Sequence, residues 1–410
     1  MKKKILSLGV ITILIIMLVI LTGCGNEKET SNSDKTVENE GSKQSEKIEF
    51  SHIKNSYSGG YAILDSGKKD EKTQEEIYYY VDSAGKVVYE RLIYNSEEEI
   101  FSNGYITVDP YRRDGTYNDN IGKSHIIDPE GKSIKTGKSN VAYSEVSKDG
   151  YVLVVYEEDG ISGKTYNTKI ESLQGDEIFS VEGKAEYKLI TGNVFAIVLK
   201  DESKVSNKVI LIDAKSKEKY EYDYNLFTIL DNVVAGENYI YIDNKIIRTD
   251  LKKAYDNMPV MKQDLNEKYY LGEQGIVNLE GKVVYDFSEG GYSQVYYYDG
   301  TYYVVSKTGF LYTMDDNFKR IAEPIKHSSS DLVLTTNGIV TVEGGCGIID
   351  KNLNKVQSIK LDEGERLNVE MSNEHLDQYI YINKKNSSGS LSFPVKVYDV
   401  KNQKYINFYK

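Results

Sequence analysis

From Ile48 to the C-terminus the chain alternates short apolar runs with clusters of polar residues. The apolar runs are rich in β-branched residues and Tyr, and most of them end at Asp, Asn, Gly or Lys. This pattern is typical of β-strands joined by tight turns, because an amphipathic helix needs apolar positions three or four residues apart over a longer stretch. The sequence therefore predicts an all-β body over residues 48–410.

One turn signature recurs along this body. An apolar strand is followed by Asp or Asn, two or three loose residues that often include Gly, then Lys and another apolar strand. Asp and Asn side chains bond to the backbone two residues on, and Gly accepts a positive φ angle, so each copy predicts a reversal of the chain. Clear copies begin at Asp82, Asp128, Asp213, Asn278, Asp350 and Asp399, and weaker copies lie near Ser172, Asp250 and Asp315.

A second signature, a turn residue directly before a paired strand, indicates the length of the repeat. It occurs at Gly60, Gly104, Gly150 and Gly192, in steps of 44, 46 and 42 residues, and later steps are nearer 35. A step of forty-odd residues with about four short strands is the size of one β-propeller blade. We therefore expect an all-β β-propeller of about eight blades, within a range of seven to nine. A set of β-sandwich domains is the alternative.

The turn pattern resembles the WG-repeat family, whose units read Gly, strand, Gly-Tyr-Ile-Asp, then Gly-Lys and a strand. The resemblance rests on segments such as 104–108 and 82–86 and covers most of the body. The chain contains no Trp, so the Trp-Gly pair that names that family is missing. The resemblance implies a repetitive fold and implies no function.

The N-terminus is a different kind of segment. Three lysines precede an apolar run from Ile5 to Leu21, and the next residues are Thr, Gly and Cys. A basic stub, a hydrophobic stretch and small residues are the layout of an export signal. Residues 21–24 resemble the lipobox of bacterial lipoproteins, which implies cleavage between Gly23 and Cys24 and a diacylglyceryl group on Cys24. An uncleaved transmembrane helix is the alternative, because the apolar run is nearly long enough to span a bilayer.

Residues 24–47 connect this anchor to the body. They are mainly Glu, Lys, Asn, Ser, Thr and Gln, with Val37 as the only sizeable apolar side chain. Such a segment cannot bury enough apolar surface to offset the entropy lost on ordering, so we expect a disordered tether after a signal peptide at 1–23. Two acyl chains hold a protein durably on a bilayer. The expected location is therefore extracytoplasmic, with the lipid on Cys24 inserted in the cell membrane.

Charge and cysteine content limit the possible partners. Loss of the signal peptide removes three Lys and no acidic residue, which takes the net charge from −12 to −15. A body this acidic has no electrostatic basis for binding nucleic acid or anionic lipid. After Cys24 only Cys346 remains. Because no His or basic cluster adjoins Cys346 in the sequence, it is predicted to be a small buried apolar residue.

The sequence contains no catalytic or metal-binding motif, such as Gly-x-Ser-x-Gly, His-Glu-x-x-His or a Cys pair. The histidines show no ligand spacing and stand at His52, His125, His327 and His375. No catalytic residue, metal or cofactor is therefore predicted. Tyr is abundant, with runs at 78–80, 296–298 and 302–303. Because successive strand residues point to opposite sides, these runs are expected to fill strands rather than to form one Tyr-lined surface.

These observations favour a non-enzymatic surface lipoprotein whose body binds or scaffolds an envelope protein or glycan. A second hypothesis is an envelope hydrolase in the propeller channel, since a glycosidase mechanism needs two carboxylates at a suitable separation. A third is an envelope assembly factor that accepts a partner strand at the edge of a blade.

Overall fold

The structure of the protein is a computed structural model. It describes residues 46–410 apart from 73, 75, 94–98, 109–123, 138–140, 161–162, 184, 200–206, 225–229, 231–232, 237, 288–290, 328–331, 343–344, 374–377 and 386–390. The described residues all belong to one unit, Ser45–Lys410. The predicted signal peptide, Cys24 and nearly all of the predicted tether lie outside the described residues.

The described residues form nine sheets, and in each sheet four consecutive strands pair antiparallel in sequence order. The first three sheets contain β1 (His52–Ser58), β2 (Tyr61–Lys69), β3 (Glu76–Asp82), β4 (Val87–Ile93), β5 (Glu99–Ser102), β6 (Tyr105–Val108), β7 (His125–Ile127), β8 (Ser133–Thr136), β9 (Val141–Tyr143), β10 (Tyr151–Gly160), β11 (Gly163–Ser172) and β12 (Glu177–Glu182). The next three contain β13 (Ala185–Thr191), β14 (Val194–Leu199), β15 (Asn207–Asp213), β16 (Lys219–Tyr224), β17 (Val234–Ala235), β18 (Tyr239–Ile242), β19 (Lys245–Arg248), β20 (Ala254–Tyr255), β21 (Met261–Asn266), β22 (Tyr269–Gly272), β23 (Gly275–Asn278) and β24 (Val283–Asp286). The last three contain β25 (Tyr292–Tyr298), β26 (Thr301–Ser306), β27 (Phe310–Asp315), β28 (Ile325–Lys326), β29 (Leu332–Thr335), β30 (Gly338–Thr341), β31 (Gly347–Ile349), β32 (Lys355–Ser358), β33 (Glu365–Asn368), β34 (Tyr379–Lys385), β35 (Leu391–Asp399) and β36 (Lys404–Tyr405).

The sheets are the blades of a nine-bladed β-propeller, because each pair of neighbouring blades shares an apolar core. Alternate strand residues enter different cores: Ile63 packs with the second blade, whereas Leu64 packs with the ninth. The other cores join the remaining neighbours in order. The predicted all-β propeller is confirmed, and nine blades lie at the upper end of the predicted range.

The order of strands within a blade gives the molecule a centre, a rim and two faces. First strands of neighbouring blades contact each other, as β17, β21 and β25 do, which places first strands nearest the centre. Fourth strands carry exposed apolar residues such as Val283 and Val356 and form the rim. The turns from first to second and from third to fourth strand share one face, termed here the short-turn face. The second-to-third turns and the links between blades lie on the other, termed the loop face.

The recurring turn signature forms the third-to-fourth turn of every blade. In the first blade Asp82 Oδ1 accepts hydrogen bonds from the N–H groups of Ala84 and Lys86, both at 2.9 Å. The Gly85 N–H donates to the carbonyl of Asp82, and Gly85 has a φ of +88°. The second signature forms first-to-second turns, as at Gly60 and Gly104. Both turn predictions are confirmed.

The two ends of the described chain meet where the first and ninth blades join. The Ile48 N–H donates to the carbonyl of Phe408 at 3.2 Å, and Tyr409 exchanges hydrogen bonds with the third-to-fourth turn of the first blade. Tyr409 donates to Gly85 at 3.0 Å and accepts from Val87 at 2.8 Å. The C-terminal segment thus clasps the first blade on the short-turn face.

One short helix, α1 (Val369–Asn373), follows the first strand of the ninth blade. Met371 of this helix packs on the core that joins the ninth and first blades. Within the part of the chain that the structure describes, a helix both apolar and long enough to cross a bilayer is not found.

Candidate functional site

A groove of about 770 Å³ opens on the loop face between the sixth and seventh blades. Its walls come from the starts of β21 and β25, the ends of β22 and β24, and the connections beside them. All of these belong to the two blades that share one apolar core. The volume lies within the usual range for ligand pockets, so the groove is a candidate binding site.

The floor of the groove is aromatic and rigid. Tyr292 and Phe287 are both more than nine-tenths buried, with ring centroids 4.8 Å apart. The Tyr292 hydroxyl donates to the carbonyl of Gly272 in the neighbouring blade. Burial raises the pKa of Tyr292, and the charge of Glu273 adds to that effect. The floor therefore offers a neutral ring that is already fixed before a ligand arrives.

The walls carry amides and a balanced set of charges. Gln263 and Gln274 contribute side-chain amides, each of which can both donate and accept hydrogen bonds. Lys262 and Lys307 face the groove together with two carboxylates, Glu273 and Asp286, and the Lys262 Nζ lies 5.9 Å from the centre of the Tyr292 ring.

The shape of the groove depends on the absence of a side chain at Gly291. It has a φ of +59°, and a Cβ at this position would overlap the aliphatic part of the Lys307 side chain. A larger residue would be strained in the backbone and would displace Lys307.

A second space of about 550 Å³, termed here the outer hollow, lies on the rim side of the same blades. Asp286, Phe287 and Gly291 line both spaces, so they form a shared wall. In the outer hollow the guanidinium of Arg320 stacks over the Tyr312 ring at 4.5 Å, and Phe310 is 42% exposed. Together the two spaces make an extended surface of rings and polar groups from the centre towards the rim.

Sequence reasoning missed the groove because its residues form no motif. The walls combine segments near 262, 273, 286, 294 and 307 that only the pairing of two blades brings together. The Tyr runs gave a partial signal, since Tyr296 lines the groove whereas Tyr78, Tyr79 and Tyr80 are buried in strands, as predicted.

The other candidate residues do not converge on a site. Cys346 is buried, and burial raises the pKa of its thiol to about 11, which confirms the prediction of a small buried apolar residue. His52 and His125 belong to different blades, and the ring of buried His327 lies 3.0 Å from Thr341 Oγ1. His375 lies outside the described residues. Over those that are described, no three His, Cys, Asp or Glu residues are grouped as metal ligands.

Comparisons with known proteins identify no family for this chain. No family model and no curated protein matches the chain. The β-propeller domain of the Trilobed protease from Pyrococcus furiosus is 14% identical, with a TM-score of 0.36 over 88% of this chain and 99% of that chain. A eukaryotic initiation factor is 12% identical, with a TM-score of 0.41 over 89% and 91%. BamB from Moraxella catarrhalis is 9% identical, with a TM-score of 0.28 over 69% and 78%. Likeness at this level carries no argument about function.

Proposed function

We propose that the protein is a lipid-anchored binding module of the cell envelope and that the groove between blades six and seven recognises an envelope glycan. The observation that supports this most directly is the composition of that groove. The aromatic floor supplies an apolar base, and the amides of Gln263 and Gln274 can match sugar hydroxyls, which both donate and accept hydrogen bonds. An exported protein segment is the other ligand that such a surface can hold.

The position of the chain end supports the same proposal. Residues 46–48, where the predicted tether ends and the body begins, are hydrogen-bonded to the C-terminal segment on the short-turn face. The groove opens on the loop face. A body attached through this end presents its groove on the side away from the attachment point.

An equilibrium binding screen of the full-length protein against purified wall glycans and exported proteins tests the proposal. Gln263→Ala, which removes a lining amide, is expected to weaken glycan binding about tenfold. Gln357→Ala is the matched control, because Gln357 lies in the eighth blade and does not line the groove. No binding to any glycan, or an equal effect of both variants, would refute the glycan proposal. Tight binding of an exported protein instead would identify the other ligand class.

A hydrolase is the second candidate because Glu273 and Asp286 line one groove. Both side chains are exposed, so neither lies in the dry environment that keeps a catalytic acid protonated. Release of reducing ends from a wall glycan by the wild type, lost in Glu273→Gln/Asp286→Asn, would replace the binding proposal with this one.

The lipid anchor is tested separately. Cys24→Ala is expected to abolish incorporation of labelled fatty acid and to release the protein from the membrane, since only a thiol accepts the diacylglyceryl group. Label retained in this variant would overturn the anchor and leave the groove proposal standing.

A further inference from the structure

A separate hollow of about 790 Å³ lies on the short-turn face, over the first three blades and on the opposite face from the groove. Its two rings are Tyr61 and Tyr105, and its two carboxylates are Asp128 and Glu130. The remaining lining residues, which include Asn103, Ile134 and Gln174, are uncharged. The lining therefore carries negative charge and aromatic surface, and the described residues that form it include neither Lys nor Arg.

The two tyrosines occupy the same position in successive blades. Each is the first residue of a second strand and follows a turn glycine, Gly60 or Gly104. The ring of Tyr61 packs against Gly104, where a Cβ would stand 3.0 Å from Tyr61 Cδ2. The repeat thus brings both tyrosines to the lining of one hollow, and Gly104 leaves room for the Tyr61 ring.

The carboxylates come from the third-to-fourth turn of the second blade. Asp128 Oδ1 accepts the Lys132 N–H at 2.8 Å, which fixes the turn. Gly131, which follows Glu130, packs against the ring of Tyr89. The pKa of Tyr61 is raised by burial first and by the charge of Glu130 second, which agrees with a carboxylate near this ring.

The lysine next to Ile134 in the sequence is engaged by other partners. Lys135, on the same strand as Ile134, forms an ion pair with Glu171 in the third blade at 2.9 Å and donates to the Ser172 carbonyl. Aromatic faces next to carboxylates in a pocket without basic residues are the arrangement that binds alkylammonium groups.

We infer that this hollow binds a ligand with an alkylammonium group, held between Tyr61 and Tyr105 and paired with Glu130. The tyrosine rings attract the cation and cover its methylene or methyl groups, and the carboxylate supplies the opposite charge. The site is separate from the groove between blades six and seven and does not depend on that groove's function.

Choline and its uncharged isostere 3,3-dimethyl-1-butanol are the probes that test the inference. Broadening of the ligand methyl signal by the full-length protein in NMR titrations gives the dissociation constants. Choline is expected to bind at least tenfold more tightly than the isostere, because the two differ only in the cationic centre. Butylammonium as a third ligand separates a preference for primary from one for quaternary ammonium groups, and binding of either supports the inference. Equal binding of choline and its isostere would overturn it, as would no binding of any ammonium ligand.

Variants locate the site. Tyr105→Leu is expected to weaken choline binding about tenfold, whereas Tyr105→Phe, which keeps the ring, is expected to leave it within about twofold. Glu130→Gln is expected to weaken binding about fivefold. Glu280→Gln is its matched control. Glu280 is exposed in the equivalent turn of the sixth blade, and its substitution removes the same charge from the protein. If Glu280→Gln weakens binding as much as Glu130→Gln, the effect is the general charge of the protein and the site is refuted. Thermal melting of each variant confirms that it is folded.

Discussion

The backbone N–H of Tyr57 in the first blade donates a 2.6 Å hydrogen bond to the hydroxyl of Tyr381 in the ninth. Both residues are buried, and the Tyr57 ring also stacks on Tyr379 at 4.3 Å. This bond joins residues 324 positions apart. It belongs to the core that closes the ring, so a local change here reports on closure of the whole propeller.

Tyr381→Phe is therefore expected to destabilise the protein by about 1 kcal/mol, since it removes a buried hydrogen bond between the first and ninth blades. Urea unfolding followed by circular dichroism gives the free energy. Tyr297→Phe is the control, because its hydroxyl bonds to Asp316 in an exposed place, where loss is expected to cost less than about 0.5 kcal/mol. Equal losses of unfolding free energy in the two variants would show that the hydrogen bond to Tyr57 stabilises the closed ring no more than an exposed hydrogen bond does.

The C-terminal clasp depends on the absence of a side chain at Gly85. A Cβ added there would overlap the backbone carbonyl oxygen of Asn407, and the φ of Gly85 is +88°. Gly85→Ala is expected to detach the clasp and to speed hydrogen exchange at the amide of Tyr409, which donates to Gly85.

Gly281→Ala separates the backbone cost of a positive φ from the cost of the overlap with Asn407. Gly281 occupies the same position in the sixth blade with a φ of +76°, and a Cβ there would meet no atom closer than 3.5 Å. It should therefore show only the backbone cost, about 1 kcal/mol. If both variants lose the same stability and Tyr409 exchange is unchanged in Gly85→Ala, the close approach to Asn407 is not what holds the C-terminal segment.

The repeated turn can be tested with a residue that the chain itself uses. Asp315 Oδ1 accepts from the N–H groups of Asn317 at 2.9 Å and Lys319 at 2.8 Å, and in the sixth blade Asn278 Oδ1 accepts from the equivalent N–H groups. Asp315→Ala is expected to cost about 1 kcal/mol, and Asp315→Asn much less, in urea unfolding. A loss in the Asn variant as large as in the Ala variant would mean that the charge, rather than the acceptor oxygen, stabilises the turn.

These turns explain why the fold could be predicted from the sequence. The chemistry at Asp82 or Gly104 is local, because the side chain bonds within four residues or the glycine turns the chain in place. The number of blades was less certain because blades differ in length. The first strands of the fifth, sixth and seventh blades begin at residues 234, 261 and 292, which are much shorter steps than the 47 residues between 52 and 99.

The sites could not be predicted in the same way. Tyr292 and Gln263 meet only because two blades pack side by side, and nothing in either segment marks it as a groove wall. Tyr61 and Tyr105 were visible as repeated strand starts, but their position beside Glu130 depends on the turn of the next blade. Local patterns therefore identified the repeat, and packing between blades determined the candidate surfaces.

Asp264, on the first strand of the sixth blade, makes stability depend on pH. Its Oδ1 is buried and has no hydrogen-bond partner among the described residues, and the carboxylate packs tightly against Gly236 of the fifth blade. Burial raises the pKa of Asp264 from 3.8 to about 7, and the charge of Glu267 adds to the effect. Between these values the folded protein holds a proton that the unfolded chain has lost. Stability should therefore fall as the pH rises through this interval and level off above about 7.

Asp264→Asn is expected to remove this slope. Because each pKa unit corresponds to 1.36 kcal/mol, the wild type should lose about 2–3 kcal/mol between about pH 5 and 8, and the variant should lose much less. Urea unfolding at both pH values provides the comparison, and Asp223→Asn, at an exposed position on the fourth blade, serves as the control. If the wild type and Asp264→Asn lose the same stability over this range, the proton is held elsewhere. The interpretation that Asp264 is neutral where the fifth and sixth blades meet would then be wrong.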